Sequence, residues 1–204
     1  MKNTRRILTQ AELTAMRGKC SNALEQAIFE TLRSCGCRVD ELVHVLREDI
    51  NLEGNQVHIR KPKKVVTWTN RRTGEYESVS NPRDSILDEA AVVALRVYLK
   101  TKDFKPGSRV FPRTTRAIHG MVKRWASDAK VQRPEEIHPH TFRHTCGTML
   151  LAQGVPEPYI LQILGWSKSS RTFRETYNDP PMDIVKDRVL KARKEASEST
   201  KKPG

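Results

Sequence analysis

The chain has no run of about 18 apolar residues, so nothing in it can span a bilayer as a helix. Its basic start, Met1 to Arg6, is not followed by the apolar stretch of a signal peptide, and a cytoplasmic protein is the expectation. Cysteine is sparse. Cys20, Cys35, Cys37 and Cys146 are too few and too scattered for a disulfide framework and read as buried thiols. Cys35-Gly-Cys37 lacks both the two-residue spacer and the second Cys/His pair of a zinc site, so no structural metal is expected. There is no Gly-x-x-x-x-Gly-Lys-[Ser/Thr] loop and no acidic cluster suited to Mg²⁺, hence no nucleotide or metal cofactor is expected either.

What the chain does have is positive charge. Its 37 Lys and Arg against 24 Asp and Glu leave +13, which points to a polyanionic partner, nucleic acid before membrane, although a solvated basic surface would give the same count. Hydrophobic residues at 37% exclude wholesale disorder, and 204 residues suffice for one substantial core. Residues 1–8 read as a leader, 9–190 as one folded domain, and 191–204, small and charged, as a mobile basic tail.

Local patterns predict mainly helix with a small antiparallel sheet, an α+β arrangement. Thr9 and Glu12 form a capping box opening a helix to about 17, and Leu24, Ala27, Ile28, Thr31 and Leu32 recur at helical steps until Gly36 ends that run. A short helix is expected at 40–46. Alternation changes to period two at Ile50, Leu52, Val57 and Ile59 around Glu53-Gly54-Asn55, the mark of a hairpin, with a second strand pair at 64–69 and 75–80. Asp84 or Asp88 caps a helix running to about 100, with Val92, Val93, Ala94, Leu95 and Leu99 inward. Further helices are predicted at 116–129, 141–153, 157–164 and 182–194.

The chemistry is concentrated late in the chain. In His138-Pro-His140-Thr-Phe-Arg143-His144-Thr145, His140 and Arg143 stand three apart, so on a helix both project from one face, where they can meet one anion. Taken alone, such a pair is as readily a solvated surface pair. Leu164-Gly165-Trp166 and then Tyr177 follow; upstream stands Gly36-Cys37-Arg38-Val39-Asp40-Glu41-Leu42. In this order the five elements resemble the catalytic domain of the tyrosine recombinases, phage-type integrases included, from about Leu8 to Leu190.

The resemblance implies a tyrosine recombinase catalytic-domain fold and a site-specific enzyme that cuts and rejoins duplex DNA through a 3′-phosphotyrosyl intermediate, without ATP or metal. Carried over by position, Arg38 and Arg143 grip the scissile phosphate, His140 is the acid/base beside them, Trp166 packs or hydrogen-bonds there, and Tyr177 is the nucleophile. Glu41 and His144 support them. The catalytic lysine falls in the hairpin after Arg38, where Lys61 is the first choice and Lys63 and Lys64 are alternatives; Arg60, Lys63, Lys64, Arg71 and Arg72 are the expected DNA contacts. Tyr159, the other tyrosine weighed as nucleophile, precedes Leu-Gly-Trp rather than following it. The implied partners are duplex DNA and other copies of the chain, a tetramer on DNA and a monomer or weak oligomer off it, with the protein at the nucleoid. The family's separate amino-terminal DNA-clamping domain is not seen in the sequence, where the pattern starts near Met1, so the chain is read as either a fragment or a minimal member. Two other functions remain open: DNA relaxation of the type IB topoisomerase kind, and a non-catalytic DNA-binding regulator with the same fold.

The physical logic is independent of kinship. Two fixed guanidiniums neutralising the non-bridging oxygens are a large help to attack on an anionic diester. A phenol with a pKa near 10 needs an acceptor for its proton, and the departing oxygen needs a donor, for which a lysine ammonium serves.

Overall fold

The computed structural model describes residues 6–60 and 82–166, together with the backbone of two short strands, Trp68–Thr69 and Tyr76–Glu77. Seven helices carry the described fold: α1 (Gln10–Arg17), α2 (Ala23–Cys35), α3 (Val39–Leu42), α4 (Glu89–Leu99), α5 (Thr115–Asp128), α6 (Pro139–Ala152) and α7 (Glu157–Leu164). Strands β1 (Ile50–Asn51), β2 (Gln56–Ile59) and β5 (Arg83–Ile86) form an antiparallel sheet in the order β1-β2-β5, and β3 (Trp68–Thr69) pairs with β4 (Tyr76–Glu77). The mainly helical arrangement with a small antiparallel sheet is the one the sequence predicts.

Helix α2 lies at the centre. Its periodicity predicts one buried face, yet Glu25, Phe29 and Glu30 are buried beside Ala27, Ile28, Thr31 and Leu32, because α4, α6 and β5 all pack on it. The buried carboxylates are compensated: Arg17 pairs with Glu30 at 2.7 Å, and Trp125 Nε1 donates to Glu25 at 3.0 Å. Phe29 meets the Trp125 and Phe142 rings edge-on at 5.6 and 5.1 Å, joining α2, α5 and α6 in one core. Gly36 ends α2 at φ 56°, a left-handed conformation that costs glycine nothing.

Several boundaries differ from the sequence expectation. The helix expected at 40–46 stops at Leu42, because the next residues turn and then join residues 108–110: Val110 N donates to Val45 O at 2.9 Å, and Leu46 bridges to Arg109. Asp88 and not Asp84 caps α4, its side chain accepting from Ala91 N, while Asp84 belongs to β5. Val93, expected inside, is 48% exposed on the outer face of α4. Helix α6 begins two residues early, since Pro139 sits at its first turn, where a missing N–H costs nothing. Strand β5 was not expected at all. The helix expected at 182–194 and the tail at 191–204 lie outside the described residues.

Among the described residues no helix is long and apolar enough to cross a membrane. The four cysteines carry free thiols, three of them buried.

Candidate active site

Two stretches far apart in sequence meet where α2, α6 and α7 end or begin. Arg143, on α6, is only 2% exposed and donates from Nη1 to Gly36 O at 2.9 Å and from Nη2 to Leu164 O. Those oxygens stand at the C-terminal ends of α2 and α7, the negative poles of both helix dipoles, so two neutral carbonyls hold the cation in place without cancelling its charge. The Trp166 ring covers the guanidinium, with Cζ 4.5 Å from the ring centroid. Among the described residues, this stack is the contact that Trp166 makes with the site. Close approach demands the glycines here: a Cβ on Gly36 would stand 2.6 Å from Leu164 Cδ2.

Arg38 lies two residues beyond Gly36, at the N-terminal boundary of α3. Its backbone N–H donates to Glu41 Oε2 at 2.7 Å and its Nη1 to Glu41 Oε1 at 3.1 Å. This is half of a capping box, with the carboxylate three residues on closing back over the helix start. The Glu41 side chain is 1% exposed, whereas 22% of the Arg38 side chain remains open. Burial alone would push the Glu41 carboxyl up; hydrogen bonds and charge from Arg83, then from Arg38, prevail and bring it down to about 2.

Arg83 is the residue that the sequence pattern missed. Standing on β5, it is 8% exposed and grips Glu41 with a fork, Nη1 to Oε1 and Nη2 to Oε2, both at 2.9 Å. Its Nε donates to Ile163 O at 2.8 Å. The one available signal was an arginine amid alternating residues just after Pro82, and nothing in that pattern marks it as buried.

His140 sits one turn from Arg143 on α6. Its pKa is lowered, first by partial desolvation and then by the charges of Arg143, His138, Arg38 and His119. One imidazole thus lies within the field of both candidate phosphate-gripping arginines, and burial and that field both favour its neutral, proton-accepting form. His138 precedes it, its backbone N–H donating to Thr141 Oγ1 at 3.1 Å, and the two rings stand 6.2 Å apart. His144 is half-buried on the same helix.

Of the expected DNA contacts, only Arg60 is described. Its guanidinium is committed to Asp49, Nε to Oδ1 at 2.7 Å and Nη2 to Oδ1 at 2.6 Å, and remains 44% exposed. Tyr159 is 60% exposed on α7. Tyr177, the expected nucleophile, the lysine candidates Lys61, Lys63 and Lys64, and Arg71 and Arg72 lie outside the described residues.

Comparison with known proteins bears on the family and the fold. The profile of the phage integrase family matches residues 2–182. Tyrosine recombinase XerA of Saccharolobus solfataricus is 25% identical over 193 residues, covering 95% of this chain and 58% of its own length. Tyrosine recombinase XerC of Staphylococcus aureus is 28% identical over 163 residues, covering 76% and 49%. The chain thus spans about half the length of these relatives. Among solved structures, a XerA recombinase superposes with a TM-score of 0.74 at 23% identity, covering 94% of this chain and 64% of that one. The Tn1549 transposon integrase in complex with transposon right end DNA superposes at 0.64 and 21%, covering 91% and 65%. The XerH site-specific recombinase bound to a palindromic difH substrate superposes at 0.63 and 18%, covering 91% and 53%. With the family profile matched over most of its length and the fold shared with a recombinase, the chain belongs to the phage integrase family.

Proposed function

We propose that the chain is the catalytic part of a site-specific recombinase that cuts and rejoins duplex DNA through a covalent 3′-phosphotyrosyl link to Tyr177. The observation that carries the reading is the buried Arg143, held by Gly36 O and Leu164 O under the Trp166 ring, with His140 one turn away on the same helix. A base beside two cations suits a site where an anionic phosphate is held and a hydroxyl is deprotonated. The relatives named as tyrosine recombinases, and the neighbours bound to DNA, support the same reading.

In the proposed step the Tyr177 oxygen attacks the scissile phosphorus and its proton passes to His140. Arg38 and Arg143 balance the charge gathering on the non-bridging oxygens, Arg143 backed by the Trp166 ring. The bond to the 5′-oxygen breaks, and that oxygen leaves as a hydroxyl with a proton from Lys61, or from Lys63 or Lys64. Attack by a 5′-hydroxyl on the phosphotyrosine reverses every transfer. The ester energy is kept in the link, so rejoining needs no ATP. Arg60, Lys63, Lys64, Arg71 and Arg72 lie along the DNA, and the working assembly is a tetramer of the chain on duplex DNA, at the nucleoid.

The test is a denaturing gel of the protein incubated with a pool of random-sequence duplexes. Wild type traps a covalent adduct, and Tyr177→Phe, which loses one hydroxyl, traps none while still binding DNA. An adduct that persists in that variant transfers the role to another tyrosine.

A further inference from the structure

Arg38 has only one described partner for its guanidinium, Glu41, and that partner is already taken. Arg83 grips both Glu41 oxygens at 2.9 Å, while Arg38 reaches one of them at 3.1 Å. The burial follows the same order: 5% of the Arg83 side chain and 1% of the Glu41 side chain are exposed, against 22% for Arg38. Among the described residues two guanidiniums share this one carboxylate, and of the three side chains Arg38 is the one open to solvent.

Arg83 also reaches the other half of the site. Its Nε holds Ile163 O at 2.8 Å, next to Leu164, whose own carbonyl holds Arg143. Gly165 lies against the plane of its guanidinium: a Cβ there would stand 2.6 Å from Nη1, 2.7 Å from Cζ and 2.8 Å from Nε. One planar fork therefore joins the carboxylate under Arg38 to the turn that carries Leu164 and Trp166.

We infer that Arg83 is a positioning residue of the phosphate clamp: by neutralising Glu41 and binding the Ile163–Gly165 turn, it leaves the charge of Arg38 for the DNA phosphate and fixes Arg38 relative to Arg143. Without Arg83, less of the Glu41 charge is balanced, and Glu41 pulls harder on Arg38 and away from the anion site. A lysine in place of Arg83 supplies the charge but cannot bind both carboxylate oxygens and the carbonyl in one plane. The inference rests on the reading of Arg38 and Arg143 as the clamp.

The experiment compares two versions of the duplex recovered as the covalent adduct, one with the natural scissile diester and one with an uncharged methylphosphonate at that phosphate. Single-turnover adduct rates are measured for wild type, Arg83→Lys, Arg83→Gln and Arg38→Ala. The ratio of the two rates for one preparation does not depend on how much of the protein is folded. A clamp displaced by a fraction of its length slows the charged diester by about 10²-fold and the uncharged substrate far less, so the ratio moves by about tenfold or more. The Nε–H resonance of Arg38 in the DNA-free protein moves as well in both Arg83 variants. If Arg38→Ala changes the ratio but the Arg83 variants lose equally on both substrates, or leave the Arg38 resonance unmoved, Arg83 is only a structural ion-pair partner and the inference is overturned. If Arg38→Ala itself loses equally on both, the clamp is misassigned and the inference falls with it.

Discussion

The two candidate clamp arginines are held by opposite means. Arg143 is deep, 2% exposed, and among the described residues it is set by two helix-end carbonyls and an indole face. Arg38 is shallow and set by a carboxylate whose charge a third arginine, Arg83, already balances. Carbonyl partners do not cancel a buried cation's charge and do not titrate. A carboxylate-held cation, by contrast, has a support that can be titrated away.

The largest expected effect breaks the carboxylate side. Glu41→Ala strands the buried Arg83 cation and should cost roughly 3–5 kcal/mol of stability, as removal of one partner of a buried pair does. Chemical denaturation measures it; a loss within the range of an ordinary surface substitution would mean that water or another group takes over from Glu41. Acid should act in the same direction. With the folded pKa of Glu41 at about 2, below its usual 4.5, this stabilisation is complete above pH 4.5 and drains away as pH falls towards 2. Side-chain resonances of Arg38 and Arg83 should move over that range, and that of Arg143 should not.

The carbonyl side is probed by Arg143→Lys. An ammonium cannot span Gly36 O and Leu164 O while stacking on Trp166, so adduct formation should fall by about 10²–10³, nearly as far as in Arg143→Ala. Rescue by lysine would show that charge alone suffices there. Gly165→Ala tests the seam between the two sides, because Gly165 has φ 65° and its new Cβ would meet the Arg83 guanidinium. A loss of about 1–3 kcal/mol is expected from the backbone strain, and the contact adds to it. A melting temperature equal to wild type would mean that the turn and Arg83 separate easily.

The smallest effect concerns His140, which both sides influence. Partial desolvation, Arg143, His138, Arg38 and His119 all lower its pKa, so it is neutral above pH 6.5. The unfolded chain binds more protons just below that pH, and stability should therefore be complete above 6.5 and decline slightly as pH falls through the window. Adduct formation should have its acid limb below pH 6.5, and His140→Gln should remove that limb. A limb centred above pH 6.5 would contradict the neutral imidazole.

Much of the site was legible from residue types at short spacing. Arg38 with Glu41 and His140 with Arg143 are three-residue pairs that a helix turn brings together, and the structure adds the partners of each. Gly36 and Gly165 both occupy the left-handed positions that end helices. Arg83 was not legible, because β5 inverts the usual rule: Arg83 and Ser85 face inward while Ile86 is 47% exposed. Hydropathy alternation assigns that strand to the wrong face, or to no strand.

The sequence by itself therefore determined which groups are available and which close neighbours share a helix face, since the helical repeat is a local property of the backbone. Only the tertiary structure decided that Gly36, Leu164 and Arg143 meet, and that a buried arginine from β5 stands between Glu41 and Ile163. A buried cation is tolerated only where its partners converge, and those partners come from segments 42 and 80 residues away in the chain.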